Sequence, residues 1–236
     1  MIKKWVLIIF FCLLFVLLGG VLFNYFRRDK ATTGKSGDQR ISLPKPVLSS
    51  RISIEQALAQ RRSIREYSSE PLTLEEISQL LWAAQGINRP GGYRTAPSAG
   101  ALYPLEVYLV SNQIDQVPAG FYHYNPEGHA IEQLLRGDFR YELSQAGLNQ
   151  QAIQNAPAVF LITAIYERTT AKYGPRGRQY VHMEVGSAAQ NVYLQAYSLD
   201  IGTVFIGAFH DDQVKRLFNL ASEEQPLCLL PLGKLN

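Results

Sequence analysis

The chain has 236 residues, 47% of them hydrophobic and 18% charged, enough for one well-buried α/β domain plus a short appendage. Its net charge of +3 is carried by small groups such as Lys3-Lys4, Arg27-Arg28 and Arg61-Arg62-Arg65, which excludes the concentrated basic stripe of a nucleic-acid binder. Two cysteines (Cys12 and Cys228) and four histidines (His123, His129, His182 and His210) show no HExxH or paired-ligand spacing, so no metal site is expected.

From the N-terminus, Trp5 to Phe26 is an apolar run without internal charge. As a helix it would reach roughly 33 Å, enough to cross a bilayer core. Lys3-Lys4 and Arg27-Arg28 flank it, and the bulky end Phe23-Asn24-Tyr25-Phe26 is a poor cleavage site. Residues 1–28 therefore read as an uncleaved, single-pass membrane anchor rather than a signal peptide. Because both flanks are basic, orientation stays open. A disulfide is discounted, since Cys12 would sit in lipid and Cys228 in a core strand. Residues 29–50 are polar and broken by Gly34, Gly37, Pro44 and Pro46. They read as a flexible tether to a domain over 51–236.

Within that domain, Ser53 caps a short helix to about Arg62. Thr73-Leu74-Glu75-Glu76 is a capping box, followed by Ile77, Leu80, Leu81 and Ala84 at helical period. Val107–Val110 is a short strand, and residues 121–131 read as a hairpin turning at Asn125–Gly128. Tyr141–Asn155 is predicted helical up to Pro157, and residues 158–163 form a continuous apolar strand of the kind buried on both faces. A long helix is expected over 184–199, a strand over 203–206, a helix over 212–220 and a strand over 227–232. Helices and strands mix without regular βαβ alternation, which favours α+β.

Three segments have the composition of a binding site. Arg61-Arg62-Ser63-Ile64-Arg65 groups three guanidiniums and a hydroxyl at a helix end, suited to phosphate, or equally a solvated basic helix end. Residues 94–104 place small residues between Pro97 and Pro104, where backbone can approach a flat ligand; as composition this is also an ordinary loop. In Val204–Phe209 a glycine follows an apolar strand, either aiming a backbone N–H at a ligand or marking a strand end.

Taken with Arg178–Gly186, Ala188-Ala189-Gln190-Asn191, Gly207-Ala208-Phe209 and Pro231-Leu232-Gly233-Lys234, these segments closely resemble the nitroreductase-like FMN flavoproteins, and among them the azoline dehydrogenase (SagB-like) branch. The resemblance runs from about Ile54 to Lys234. It implies an α+β, three-layer sandwich working as an intertwined homodimer, with FMN at the subunit interface. It assigns Arg61, Arg62, Ser63 and Arg65 to the phosphate and the N1/O2 edge of the ring, and Ser98, Ala99 and Gly100 to a second flavin loop. Ile206 and Gly207 match the segment with a backbone donor near flavin N5, and Lys234 matches a basic residue that reaches phosphate. Lys172 and Tyr173 correspond to a lysine–tyrosine pair linked to proton removal in azoline dehydrogenases; read alone, Lys172 is equally a solvated loop lysine beside Gly174-Pro175. Two departures stand out: many relatives continue past the last motif with a basic tail, and Ser187 occupies a position where this branch commonly has histidine.

The implied activity is an FMN-dependent oxidoreductase with ping-pong kinetics, its substrate a small molecule or a modified peptide; a member of the nitroreductase type would take NAD(P)H as donor. The competing expectation is a flavin-fold scaffold at the membrane that binds a partner without turnover. Glu184 reads as structural or interfacial, and His182 and Glu184, two residues apart, point to different faces of their helix.

Overall fold

A computed structural model describes residues 39–235. The expected membrane anchor and residues 29–38 of the expected tether lie outside this range. Among the described residues no helix is long and apolar enough to cross a membrane.

The first element differs from the sequence reading. Strand β1 (Arg40–Ser42) falls where composition predicts a tether, yet it pairs antiparallel with residues 130–132. Leu43 is buried beside it, and Gln79 holds both backbone groups of Val47, accepting at 2.8 Å and donating at 3.0 Å. Prolines at 44 and 46 suit an extended edge segment as well as a linker, and composition alone does not separate the two.

Helix α1 (Ile54–Gln60) follows its Ser53 cap. Helix α2 (Leu74–Gln85) begins at the Thr73/Glu76 capping box, which satisfies two orphan N–H groups. A small hairpin, β2 (Ile87–Arg89) and β3 (Tyr93–Arg94), leads to β4 (Leu105–Ser111), β5 (Gly120–Asn125) and β6 (Ala130–Arg136). The predicted helix over 141–155 is two, α3 (Arg140–Ala146) and α4 (Gln151–Gln154). Between them Leu148 and Asn149 adopt φ of 60° and 59°, left-handed geometry that Asn tolerates and no helix continues through.

Strand β7 (Ala158–Ile165) precedes α5 (Glu167–Tyr173) and α6 (Gly177–Ser198). At 22 residues, α6 starts seven residues earlier than the sequence pattern suggests, because the turn at Gly174-Pro175 feeds straight into it. Then come β8 (Ile201–Thr203), α7 (Asp211–Phe218) and β9 (Glu224–Lys234). The expected strand at 203–206 ends at Thr203, with Ile206 making one isolated bridge to Leu229.

The seven-stranded sheet runs β1-β6-β5-β4-β7-β9-β8, every pair antiparallel. Period-2 alternation builds a core on each face. Phe160 and Ile162 join α2 and α6 in one core, while Val159 and Leu161 join α3, α4 and α7 in the other. This gives three layers, helices–sheet–helices, and explains why residues 158–163 are apolar throughout.

Candidate functional site

Two clusters of chemistry-bearing residues form, both anchored on α6. The first gathers Arg61–Arg65 and the segment after β8. Ile64 N–H donates to Thr203 O at 2.9 Å. Tyr193, buried on α6, accepts from Phe205 N–H at 2.7 Å and lies 3.1 Å from Ser63 Oγ. Its hydroxyl therefore ties two segments separated by 140 positions in the chain. The Arg61 guanidinium stacks 5.1 Å from the centroid of the Tyr193 ring. Arg62, Ser63 and Arg65 are exposed, and among the described residues none of the three arginines forms an ion pair. Beside them is a cavity of about 130 Å³ lined by Arg61, Arg62, Tyr193 and Thr203. Thr203 carries a buried hydroxyl with no hydrogen-bond partner.

The structure separates Ile206 from Gly207. The Ile206 N–H and C=O both bond to Leu229, at 2.9 Å each, so Ile206 has no backbone donor left for a ligand. Gly207 is exposed, its N–H has no partner among the described residues, and a Cβ added there would meet only Phe205, at 3.5 Å. Lys234 also departs from its expected role. Its ammonium pairs with Glu76, the capping-box carboxylate of α2, and so is already engaged.

The second cluster is the 98–103 turn. Gly100 has φ 63°, and Ala101 and Tyr103 are also left-handed at 55° and 46°. A Cβ at Gly100 would sit 2.8 Å from Tyr173 Oη and 3.0 Å from Lys172 Nζ. Only glycine admits both the backbone angle and those neighbours. Lys172 and Tyr173 thus close α5 directly over this turn rather than lying in a loop, with Lys172 Nζ 5.4 Å from the Tyr173 ring centroid. Ser98 Oγ accepts from Tyr103 N–H at 2.9 Å, and Ala99 N–H donates to Glu184 Oε1 at 2.8 Å. Glu184 is 6% exposed. Burial raises its pKa above the ordinary carboxylate range, against the lowering pull of Ala99 N–H and the Ser98 hydroxyl. His182 faces elsewhere, 3.0 Å from Tyr166 Oη, so the two do not act as a pair.

Sequence reading missed Tyr193, Glu184 and Glu76. The first two lie on a helix with several other polar residues, among them Gln179, His182, Gln190 and Asn191, so nothing local singles them out; only Glu76 carried a signal, as the capping-box carboxylate. A larger cavity, about 870 Å³, lies elsewhere, between residues 47–54, α2 and α6. None of the candidate site residues lines it, and the convergence of polar groups is the better guide to chemistry.

Residues 58–234 match the Nitroreductase family. The chain belongs to that family. It is 49% identical over 183 residues to MJ1384 of Methanocaldococcus jannaschii, a protein named for the nitroreductases, covering 78% of this chain and 91% of that one. It is 30% identical over 172 residues to the microcin B17-processing protein McbC of Escherichia coli, covering 70% of this chain and 63% of McbC. Among solved structures, a nitroreductase-family protein of Ralstonia eutropha superposes with a TM-score of 0.74 at 30% identity, covering 84% of this chain and 90% of its own.

Proposed function

We propose that this FMN-dependent oxidoreductase of the nitroreductase family transfers hydride equivalents to or from a small organic or modified-peptide substrate, in a site shared between two copies of the chain. The carrying observation is the pairing of three arginines lacking counter-ions among the described residues with an exposed, undonated Gly207 N–H, beside a small cavity lined by Arg61, Arg62 and Tyr193. Those residues fit a phosphate and a flat ring. Arg61, Arg62 and Arg65 would hold the phosphate and present positive charge to the ring's N1/O2 edge. Gly207 would be the backbone donor toward the ring, and the Cβ-free Gly100 turn would admit a planar ligand. When bound, FMN supplies the two-electron chemistry. Lys172 and Tyr173, seated on Gly100, hold or accept a proton at the substrate. Donor and acceptor would occupy one place in turn, giving ping-pong kinetics.

Helix geometry supports the two-copy arrangement. At 3.6 residues per turn, Glu184 and Tyr193 project about 180° apart and roughly 13 Å along α6. The two clusters therefore flank the buried stripe of α6 on opposite sides, and one chain does not wrap both around one ligand. Between them the exposed stripe carries Met183 and Gly186, joined by half-buried Gln190 and Leu194. A Cβ at Gly186 would meet nothing within 4 Å, so the chain itself gives no reason for a glycine that costs a helix about 1 kcal/mol. A second copy packed there would supply the reason. It would also bring the turn of one chain to the arginines of the other. The 870 Å³ groove continues this stripe through Leu194 and is bordered by exposed Val47, Leu48 and Ile54.

The similarity to McbC, a microcin-processing protein, together with the Lys172–Tyr173 pair over Gly100, favours the dehydrogenase direction on a modified peptide. The family name favours reduction of a small molecule with NAD(P)H. The apolar run at 5–26 motivates placing the domain at a membrane through residues 1–28, which cell fractionation of the full chain against one lacking them would test. Purified protein should be yellow with about one FMN per subunit, and anaerobic titration with NADH, NADPH and azoline peptides should identify the partner that reduces it. A colourless protein that refuses FMN would leave the scaffold reading in its place.

A further inference from the structure

We propose that Glu184 is a positioning residue for the redox site: its carboxylate fixes the 98–103 turn on α6, and through that turn the places of Lys172 and Tyr173. The inference rests on the functional reading above and goes beyond it.

The turn is pinned at two points. At one end Ala99 N–H donates to Glu184 Oε1 at 2.8 Å. At the other, Arg168 donates from Nη1 to Tyr103 O at 3.0 Å and pairs with Glu106 at 2.6 Å. Between the pins, three of four residues are left-handed, two of them not glycine, a geometry that persists only where surroundings impose it. Among the described residues, Ala99 N–H has no other acceptor. Gly100, the next residue, bears the Tyr173 hydroxyl and the Lys172 ammonium. A shift of the turn would therefore move the floor under both groups. Glu184 itself is buried and has no cationic partner among the described residues, which marks it as a hydrogen-bond acceptor for backbone and not half of an ion pair. Burial has raised its pKa, so keeping a carboxylate here works against its own solvation, as expected where the acceptor geometry is what the site requires.

The test uses the full chain with Glu184→Ala and Glu184→Gln. Amide hydrogen exchange over residues 97–104, FMN affinity by fluorescence and steady-state turnover are measured on each. Glu184→Ala should speed exchange in that segment at least tenfold and lower kcat at least tenfold, with a smaller fall in FMN affinity, because the phosphate arginines belong to the other cluster. Glu184→Gln keeps an Oε1 acceptor and should restore both exchange and kcat to within about threefold. Unchanged exchange in Glu184→Ala, or a glutamine as damaging as the alanine, would overturn the proposal. If Glu184→Ala does not fold, Ala99→Pro removes the donor from the opposite side. Ser98 is already extended (φ −134°, ψ 138°), as a residue before proline requires, and the same loss of kcat is expected. A wild-type protein without flavin would defeat the functional reading alone, since the exchange measurement decides the role of Glu184 either way.

Discussion

The two flanks of α6 solve different problems with opposite means. The arginine flank is open: exposed guanidiniums, a free Gly207 N–H and a partnerless Thr203 hydroxyl, organised by a single tyrosine. The turn flank is closed: strained backbone, a buried carboxylate and two side chains packed on a glycine. Groups that bind an incoming anion must be left uncommitted, whereas groups that hold reacting atoms must be immobilised before the ligand arrives. Perturbing the open flank should therefore cost affinity with little loss of stability. The closed flank should do the reverse.

The largest expected effect is on the open side. Replacing Arg61 and Arg65 together with alanine removes two charge-assisted contacts of about 1.5–3 kcal/mol each, so FMN affinity should fall a hundredfold or more. Thermal stability of the apoprotein should hardly change, because these side chains carry no internal ion pair. Fluorescence titration and a melting curve on the same sample separate the two quantities, and a large fall in apoprotein stability would break the distinction.

Tyr193→Phe is the next test, because Tyr193 is the one rigid piece of the open flank. Losing its hydroxyl leaves Phe205 N–H without its acceptor and Ser63 without its neighbour, at about 1–3 kcal/mol. Chemical denaturation should register that loss, and FMN affinity should drop with it. Gly207→Ala is finer. The added methyl meets only Phe205, at 3.5 Å, so stability should stay within about 0.5 kcal/mol. FMN affinity should nevertheless fall about tenfold if a ring approaches the Gly207 backbone. Unchanged binding would move the N5 donor away from Gly207.

What the sequence made legible follows the same division. The arginine segment, the small-residue turn and the Gly207 segment are local runs, readable because the residues that matter are adjacent in the chain. The continuous apolar run of β7, the capping box and the hairpin are local too, and the structure has all three. What stayed hidden is long-range. The pairing of Lys234 with Glu76 spans 158 positions, and the contact of Glu184 with Ala99 spans 85. Ile206 looked like a donor because nothing local reveals that Leu229 takes its N–H. The edge strand at 40–42 was hidden for the same reason: its partners lie 90 positions on.

That edge segment supplies a control outside both flanks. The Pro44 carbonyl can only accept, so His129 Nε2 carries the proton that reaches it at 2.9 Å. Nδ1 then accepts from Tyr124 Oη at 3.0 Å. The ring is held in its neutral form, and burial pushes its pKa below the ordinary 6.5 despite the bond to Pro44. A depressed histidine contributes stability that is present above the unfolded value and lost as pH falls through the folded one. Acid should therefore loosen residues 40–47 below about pH 6.5, as exchange in that segment would report, by a modest amount. His129→Gln, which does not titrate in this range, should flatten that pH dependence. FMN affinity should not follow the loosening, because neither flank of α6 contains His129. An FMN loss tracking the acid opening of 40–47 would show that the flanks are not independent of the edge strand, and that the open flank is held by more than Tyr193.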